Sequence, residues 1–219
     1  ADPDRLEAAL SAGLASAPAE ALDPLVTALV ALSGLMQESM VRGVGWRFME
    51  LGKRVERAQQ IITILRTLMT PVLGEADQST LLTTLLTSME VLITYRRRYR
   101  KHTGIQLGLE LVMLDLSNPR SLLFQLERLE QNLSELPGAN MPGGGIEEEE
   151  RALLAAVTSL KLSRLPQLLE TSTLRREEMD SLLVQLEKLL LDFNSLISDK
   201  HFDHRADAQQ LVDTYWGAE

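Results

Sequence analysis

Residues 45–69 read GWRFMELGKRVERAQQIITILRTLM. Within them Phe48, Leu51, Val55, Ala58, Ile62, Leu65 and Met69 recur at alternating steps of three and four. That spacing holds one apolar stripe on one side of a helix and matches the seam of a helical bundle. Gly43 and Gly45 stand before the stripe and Pro71 after it, where helices start and stop.

The same period continues outward. Leu82, Leu85, Met89 and Leu92 predict a helix over 79–100, ended by Gly104. Residues 105–114 form a shorter apolar helix that Gly108 weakens. Ser117-Asn118-Pro119 reads as a cap followed by Pro at the first helical position, and Leu122, Leu126, Leu129, Leu133 and Leu136 repeat behind it. PGANMPGGG, 137–145, is the clearest loop. Glu147 to Glu150 then open a helix to about residue 162, with acids complementing its dipole. Pro166 interrupts the pattern, and a last long helix over 172–199 carries Met179, Leu182, Leu186, Leu189, Phe193 and Leu196. Upstream, Asp23-Pro24 has the form of a helix start leading to about residue 40, and Asp2-Pro3 of another leading to about residue 15.

Heptad seams joined by short loops predict an all-α fold, an antiparallel multi-helix bundle of six to eight helices. One domain over 1–219 is expected, because either half alone leaves Leu-rich faces uncovered. Its expected core contains Phe48, Leu51, Val55, Ile62, Leu65, Leu85, Met89, Leu126, Leu186 and Phe193. Composition agrees. Hydrophobic residues make up 45% and aromatics only 4%, a bias toward helix-on-helix packing. The net charge of −9 argues against nucleic acid as a partner, since phosphate neutralisation needs a basic face. There is no cysteine, which removes thiolate chemistry and disulfides. No apolar run is long enough for a membrane span, and a cytoplasmic location is expected. The chain begins at Ala1, as a fragment of a longer chain would.

Polar residues single out several places. Arg47, Glu50, Arg54 and Arg57 lie at steps of three, four and three, along one stripe. The stripe reads either as intrahelical ion pairs on a surface or as an Arg–Glu constellation facing a groove. Glu56 follows Val55 at the edge of the seam, and its i−4 neighbour is Gly52. That placement predicts a carboxylate at a helix boundary, held by Arg57, Arg96, Arg100 or Arg120. Tyr95-Arg96-Arg97-Arg98-Tyr99-Arg100 forms a cationic helix end, a buried structural network if Arg96 or Arg100 meets Glu56 or Asp115, or an anion site if they stay unpaired. Asp115 and Asn118 read as turn and cap residues. Arg120 sits where the dipole disfavours a cation and therefore calls for a carboxylate partner, such as Asp115 or Glu56. His201-Phe202-Asp203-His204 is a weak metal pattern outweighed by a frayed helix end, so no metal and no cofactor are expected.

The stretch GWRFMELGKRVERA resembles the W-x-F-x-x-L-G-R-x-x-E-R-A signature of alpha-E domains. Tyr95-Arg96-Arg97-Arg98-Tyr99, Leu114-Asp115 and Asn118-Pro119-Arg120-Ser121 resemble the same family's second block, in the same order. The resemblance covers roughly residues 30–200 and lacks the family's earlier Glu-Arg helix, so the chain looks like the C-terminal two-thirds of such a domain. What it implies is a neighbourhood. Alpha-E domains accompany, or are fused to, circularly permuted ATP-grasp proteins, and occur near transglutaminase-like proteins. The expected function is an accessory or interaction module of an ATP-grasp peptide or amide ligase system, docking the ligase or its peptide substrate. The alternatives are a helical enzyme catalysing amide-bond or acyl-transfer chemistry, with Glu56 as acid/base and Arg57 and Arg96 as charge stabilisers, or a purely structural or oligomerising bundle. A concave pocket lined by Glu56, Arg57, Arg96 and Arg120 would favour the first two readings over the third.

Overall fold

The computed structural model describes Glu7, Ser11 and residues 17–100, 104–137, 145–171 and 173–202. Among these are nine α-helices and one π-helical turn. In chain order α1 is Pro18–Ser39, α2 Val44–Met69, α3 Glu75–Ser88, α4 Leu92–Tyr99 and α5 Ile105–Leu109. The π turn Glu110–Leu114 follows, then α6 Leu122–Ser134, α7 Glu148–Leu162, α8 Leu165–Leu168 and α9 Glu177–His201. Among the described residues the β pairing is one isolated bridge, Pro71 to Arg175. The fold is all-α. Its helices outnumber the expected six to eight because the helix expected over 79–100 is broken in two and the short α8 is added.

The chain divides into two units, Ala1–Trp46 and Arg47–Glu219. In the first, α1 starts with Pro18 in its first turn and carries Pro24 inside it. The Asp23-Pro24 start is therefore corrected: Pro18 already supplies the start, and Pro24 removes one N–H bond without ending the helix. Leu25, Val26, Leu29, Val30, Leu32 and Leu35 are exposed on it. The Asp2-Pro3 start lies outside the described residues.

In the second unit, α2, α6, α7 and α9 form an antiparallel four-helix bundle, and side-chain pairs fix every neighbour relation. Arg47 of α2 reaches Asn132 near the end of α6, while Arg54 reaches Gln125 near its start. Arg66, late in α2, meets Asp180 and Glu187, early in α9, and Phe48 stacks on His201 at the opposite end. Lys161 of α7 pairs with Glu127 of α6. Glu149 and Ser159 of α7 meet Lys200 and Gln185 of α9. Each pairing runs the opposite way along its two helices, as in an antiparallel bundle, with α3 to the π turn inserted between α2 and α6.

Nine of the ten expected core residues are buried, and Phe48 is half-buried against the rings of His201 and Phe202. In α9 the buried stripe is Met179, Leu183, Leu186, Leu190, Phe193 and Ile197, while Leu182, Leu189 and Leu196 flank it. Leucine occupies both phases of the period there, so spacing alone does not choose between them.

Three boundaries depart from the sequence reading. The helix expected over 79–100 breaks at Glu90, which takes φ 52°. Val91 N–H donates to Leu86 C=O and Glu90 N–H to Thr87 C=O, closing α3 with a left-handed residue. No Gly or Pro marks the place. Before it, Thr80, Thr83, Thr84 and Thr87 donate their hydroxyls to the carbonyls four residues back, a pattern that weakens helices. The start of α6 is Leu122, capped by Ser121, and Pro119 lies in the preceding turn. The last helix begins at Glu177 because Arg176 is committed elsewhere. Its guanidinium is buried and donates to Met69 C=O, Pro71 C=O and Gln78 Oε1, capping the end of α2. The loop over 138–144 lies outside the described residues.

Glu90 stands where glycine is favoured, and its ion pair with Arg120 is exposed and weak. Glu90→Gly is expected to raise stability by about 0.5–1 kcal/mol, since a non-glycine residue in the left-handed region costs about 1–2 kcal/mol and glycine's chain entropy returns part of it. A thermal melt that moves down would remove this account of the break.

Candidate functional site

The stripe on α2 turns inward at its N-terminal half. Glu50 is only 2% exposed. Its carboxylate pairs with Lys53 and, at 3.0 Å, with Arg54. Arg54 also donates to Gln125 Oε1 at 3.1 Å, and Arg47 donates to Asn132 Oδ1 at 3.2 Å and pairs with Glu135. Gln125 and Asn132 are buried, and they pass the network to backbone by donating to Pro119 C=O and Arg128 C=O. The rungs are seven residues apart on both helices and form a polar ladder along the α2–α6 boundary. The ring of Phe124 lies 5.7 Å from the Arg54 guanidinium and 5.0 Å from that of Arg128. Burial pushes the Glu50 carboxyl up, but hydrogen bonds and charge from Lys53 and Arg54 outweigh it and hold the group below the usual carboxylate range.

Glu56 is not part of this network, which corrects the sequence reading. It is exposed, and its one described bond is from Gln60 at 3.4 Å. Arg57 is exposed on the same side, and a Cβ at Gly52 would meet nothing within 4 Å. The seam is narrower than Val55's neighbours suggested, and the buried carboxylate of α2 is Glu50, about 1.7 turns earlier.

The tyrosine–arginine block splits by helix phase. Tyr95 is buried, its ring 5.2 Å from that of Tyr99, and its hydroxyl both donates to Gly104 C=O and accepts from Gly104 N–H. Arg96 and Arg100 are exposed and have no described ion pair, whereas Arg98 pairs with Asp115 and donates to Ser117 Oγ at 3.2 Å. Asp115 thus meets Arg98 rather than Arg96 or Arg100. Arg120 finds its carboxylate in Glu90 and not in Asp115 or Glu56.

Asp115 closes the π turn. Its N–H donates to Glu110 C=O, and Asn118 Nδ2 donates to Leu111 C=O. Asp115 Oδ1 accepts from Ser117 N–H and Oγ, and Ser121 Oγ donates to Asp115 C=O while accepting from Phe124 N–H. A π turn frees carbonyls that an α-helix would occupy, and this loop returns donors to them. Burial pushes the Asp115 carboxyl up, but hydrogen bonds from Ser117 and Arg98 hold it below the usual range.

The π turn and this loop form one wall of a cleft of about 840 Å³, lined by Arg98, Gln106, Glu110, Asp115, Arg164 and Gln167 above an apolar floor. Arg164 lies between α7 and α8 and makes no side-chain bond to a described residue. Sequence reading gave Arg98 only as one member of the cationic block and missed Gln106, Glu110, Arg164 and Gln167, which lie on α5, the π turn and the start of α8. Glu56, Arg57, Arg96 and Arg120 do not line this cleft. Among the described residues no group of three or more His, Cys, Asp or Glu could hold a metal ion. His201 stacks on Phe48, and Asp203 and His204 lie outside the described residues.

Glu50→Ala is expected to cost about 3–5 kcal/mol, because it strands Arg54 in a partly buried boundary. Glu56→Ala should cost about 0.5 kcal/mol or less, as exposed substitutions do. Denaturant titration of the two variants side by side distinguishes them, and equal losses would contradict the ladder. A second outcome concerns acid. The folded Glu50 pKa lies below its unfolded value of about 4.3, so its contribution is complete above that pH and lost as pH falls through the folded value. Melting temperature should therefore fall more steeply below about pH 4.5 in the natural protein than in Glu50→Gln; parallel acid limbs would show that Glu50 carries no linkage.

The family model of alpha-E, described as a predicted alpha-helical domain with a conserved ER motif, matches residues 4–202. Uncharacterised proteins of Mycobacterium tuberculosis and Mycobacterium bovis are 35% identical to this chain over 198 residues, which is 90% of it and 21% of them. The chain thus spans about one fifth of the length of the curated relatives it matches. No solved structure matches it. Glu56-Arg57, within the segment quoted first, is one Glu-Arg pair on α2, and the match extends through both helical blocks. The chain belongs to the alpha-E family.

Proposed function

We propose that this chain is an accessory module of an ATP-grasp peptide or amide ligase system, which docks the ligase and presents its peptide substrate. The observation that carries the reading is the cleft beside the π turn. It joins an arginine without a described partner to two glutamine amides, over a floor of Leu114, Leu116, Leu165 and Pro166. Such a mixture suits a short peptide, whose backbone needs both donors and acceptors and whose side chains need apolar cover. The ladder of Glu50, Arg54 and Gln125 is internally paired and serves the bundle. The link to an ATP-grasp protein, fused or separate, rests on the alpha-E resemblance. Relatives several times longer than the matched region leave room for other domains around the module.

The test is co-elution. Mixed with a circularly permuted ATP-grasp protein from the same genome, the chain should elute as a complex and raise the ligase's rate on its peptide substrate. Separate elution with an unchanged rate would remove the ligase from the reading, and capture of a transglutaminase-like protein instead would reassign the partner.

A further inference from the structure

The chemistry of the cleft goes further than the class of partner. Its lining carries two cations, Arg98 and Arg164, and two carboxylates, Glu110 and Asp115. One of each sign is already committed, since Arg98 pairs with Asp115. What remains for a visitor is one guanidinium, Arg164, and one carboxylate, Glu110, which is exposed and has no described partner. A polyanion such as a nucleotide or a polyphosphate finds one open cation there and a carboxylate that repels it. A zwitterion finds one complement for each of its charges. Gln106 and Gln167 each offer a donor and an acceptor, the pair that a peptide bond presents in reverse. The π turn contributes Glu110 and Leu114 to the lining, and π turns gather at functional sites. The cleft's volume of about 840 Å³ lies within the range of about 300–1,000 Å³ typical of small-ligand sites.

We propose that this cleft binds a short unblocked peptide by its C-terminal carboxylate, with Arg164 as the anchor and Gln106 and Gln167 as partners of the last peptide bond. Guanidinium is planar and offers two parallel N–H groups, which match a carboxylate in a fork. Binding at Arg164 breaks no ion pair among the described residues. Glu110 faces the amino end of a short peptide or a basic side chain. The inference rests on the function proposed above only for the idea that the peptide is a ligase substrate; binding itself is a property of this chain alone.

Isothermal titration of the whole chain tests it with three probes: the tripeptide Ala-Leu-Ala, its C-terminal amide, and inorganic phosphate. The free tripeptide is expected to bind, the amide to bind about tenfold more weakly or worse, and phosphate not to compete, as expected for loss of a charge-assisted bond. Arg164→Ala should reproduce the loss seen with the amide while leaving the melting temperature unchanged, because its side chain supports no described contact. Arg97→Ala removes an exposed cation outside the cleft and should bind as the natural protein does. Equal affinity for acid and amide, normal binding by Arg164→Ala, or no tripeptide binding up to several millimolar each overturns the proposal. If the ligase still co-elutes in that last case, the inference falls and the accessory role stands. If the tripeptide binds as described but no ligase co-elutes, the carboxylate site stands and the ligase assignment falls.

Discussion

A carboxylate taken out of water inside a leucine bundle is the constraint around which the rest of this structure is arranged. Glu50 cannot be solvated where it sits, so it must be paired. Arg54 and Lys53 supply the charge, but Arg54 does a second thing: it spans to Gln125 on α6. Leu-rich seams match one another at any heptad offset, and apolar burial discriminates weakly among those offsets. A ladder with rungs at Arg54–Gln125 and Arg47–Asn132 satisfies its polar groups in one register only. Sliding α2 by a heptad so that Arg54 faced Asn132 would bring Ile61 opposite the buried amide of Gln125. The pairing of α2 with α6 then sets where the long excursion between them, α3 through the π turn, must leave and return.

That excursion holds most of what is unusual in the chain. It contains Glu90 and Arg100, the non-glycine residues with positive φ among those described, and the π turn. Gly108 is buried against Leu82, close enough that any Cβ there displaces the leucine. The close approach brings α5 onto α3, and the extra residue of the π turn carries the chain back toward α6. The N–H of Asp115 closes the turn on Glu110 C=O, and the Asn118 amide claims the next carbonyl, that of Leu111. Residues 115–121 are therefore less a helix start than a set of donors matched to an irregular helix end.

Much of the bundle was legible in spacing alone. Leu51, Val55, Ile62, Leu65, Leu126, Leu186 and Phe193 are buried as their period required, because a heptad repeat has few other uses in a chain of this composition. The misreadings share a cause. Glu56 and Glu50 differ in burial, yet both sit one residue from a seam leucine or valine, and only the position of α6 decides which is covered. The break at Glu90 carries no Gly or Pro, and its threonine run is visible only once hydroxyl-to-carbonyl bonds are known. The cap at Ser121 and the rejected cap at Asn118 differ by whether the preceding helix ends in an α or a π turn. Long-range geometry made each of these choices, and one sequence does not print it.

The candidate site shows the same division more sharply. The residues that carry the family resemblance, Arg98, Asp115, Asn118 and Ser121, are consumed in building a wall: each is bonded to backbone or to another of them. Recognising the motif therefore located the wall and not the groups that meet a ligand. Those groups, Gln106, Glu110, Arg164 and Gln167, have side chains without a described bond, and they come from outside the quoted motifs. This is the expected arrangement for a site with a fixed frame and adjustable contents. A wall residue is constrained by every bond it makes, so its identity is readable. A ligand-facing residue is constrained by a molecule that the sequence does not contain, so Arg164 reads, before folding, as one more surface arginine beside a proline.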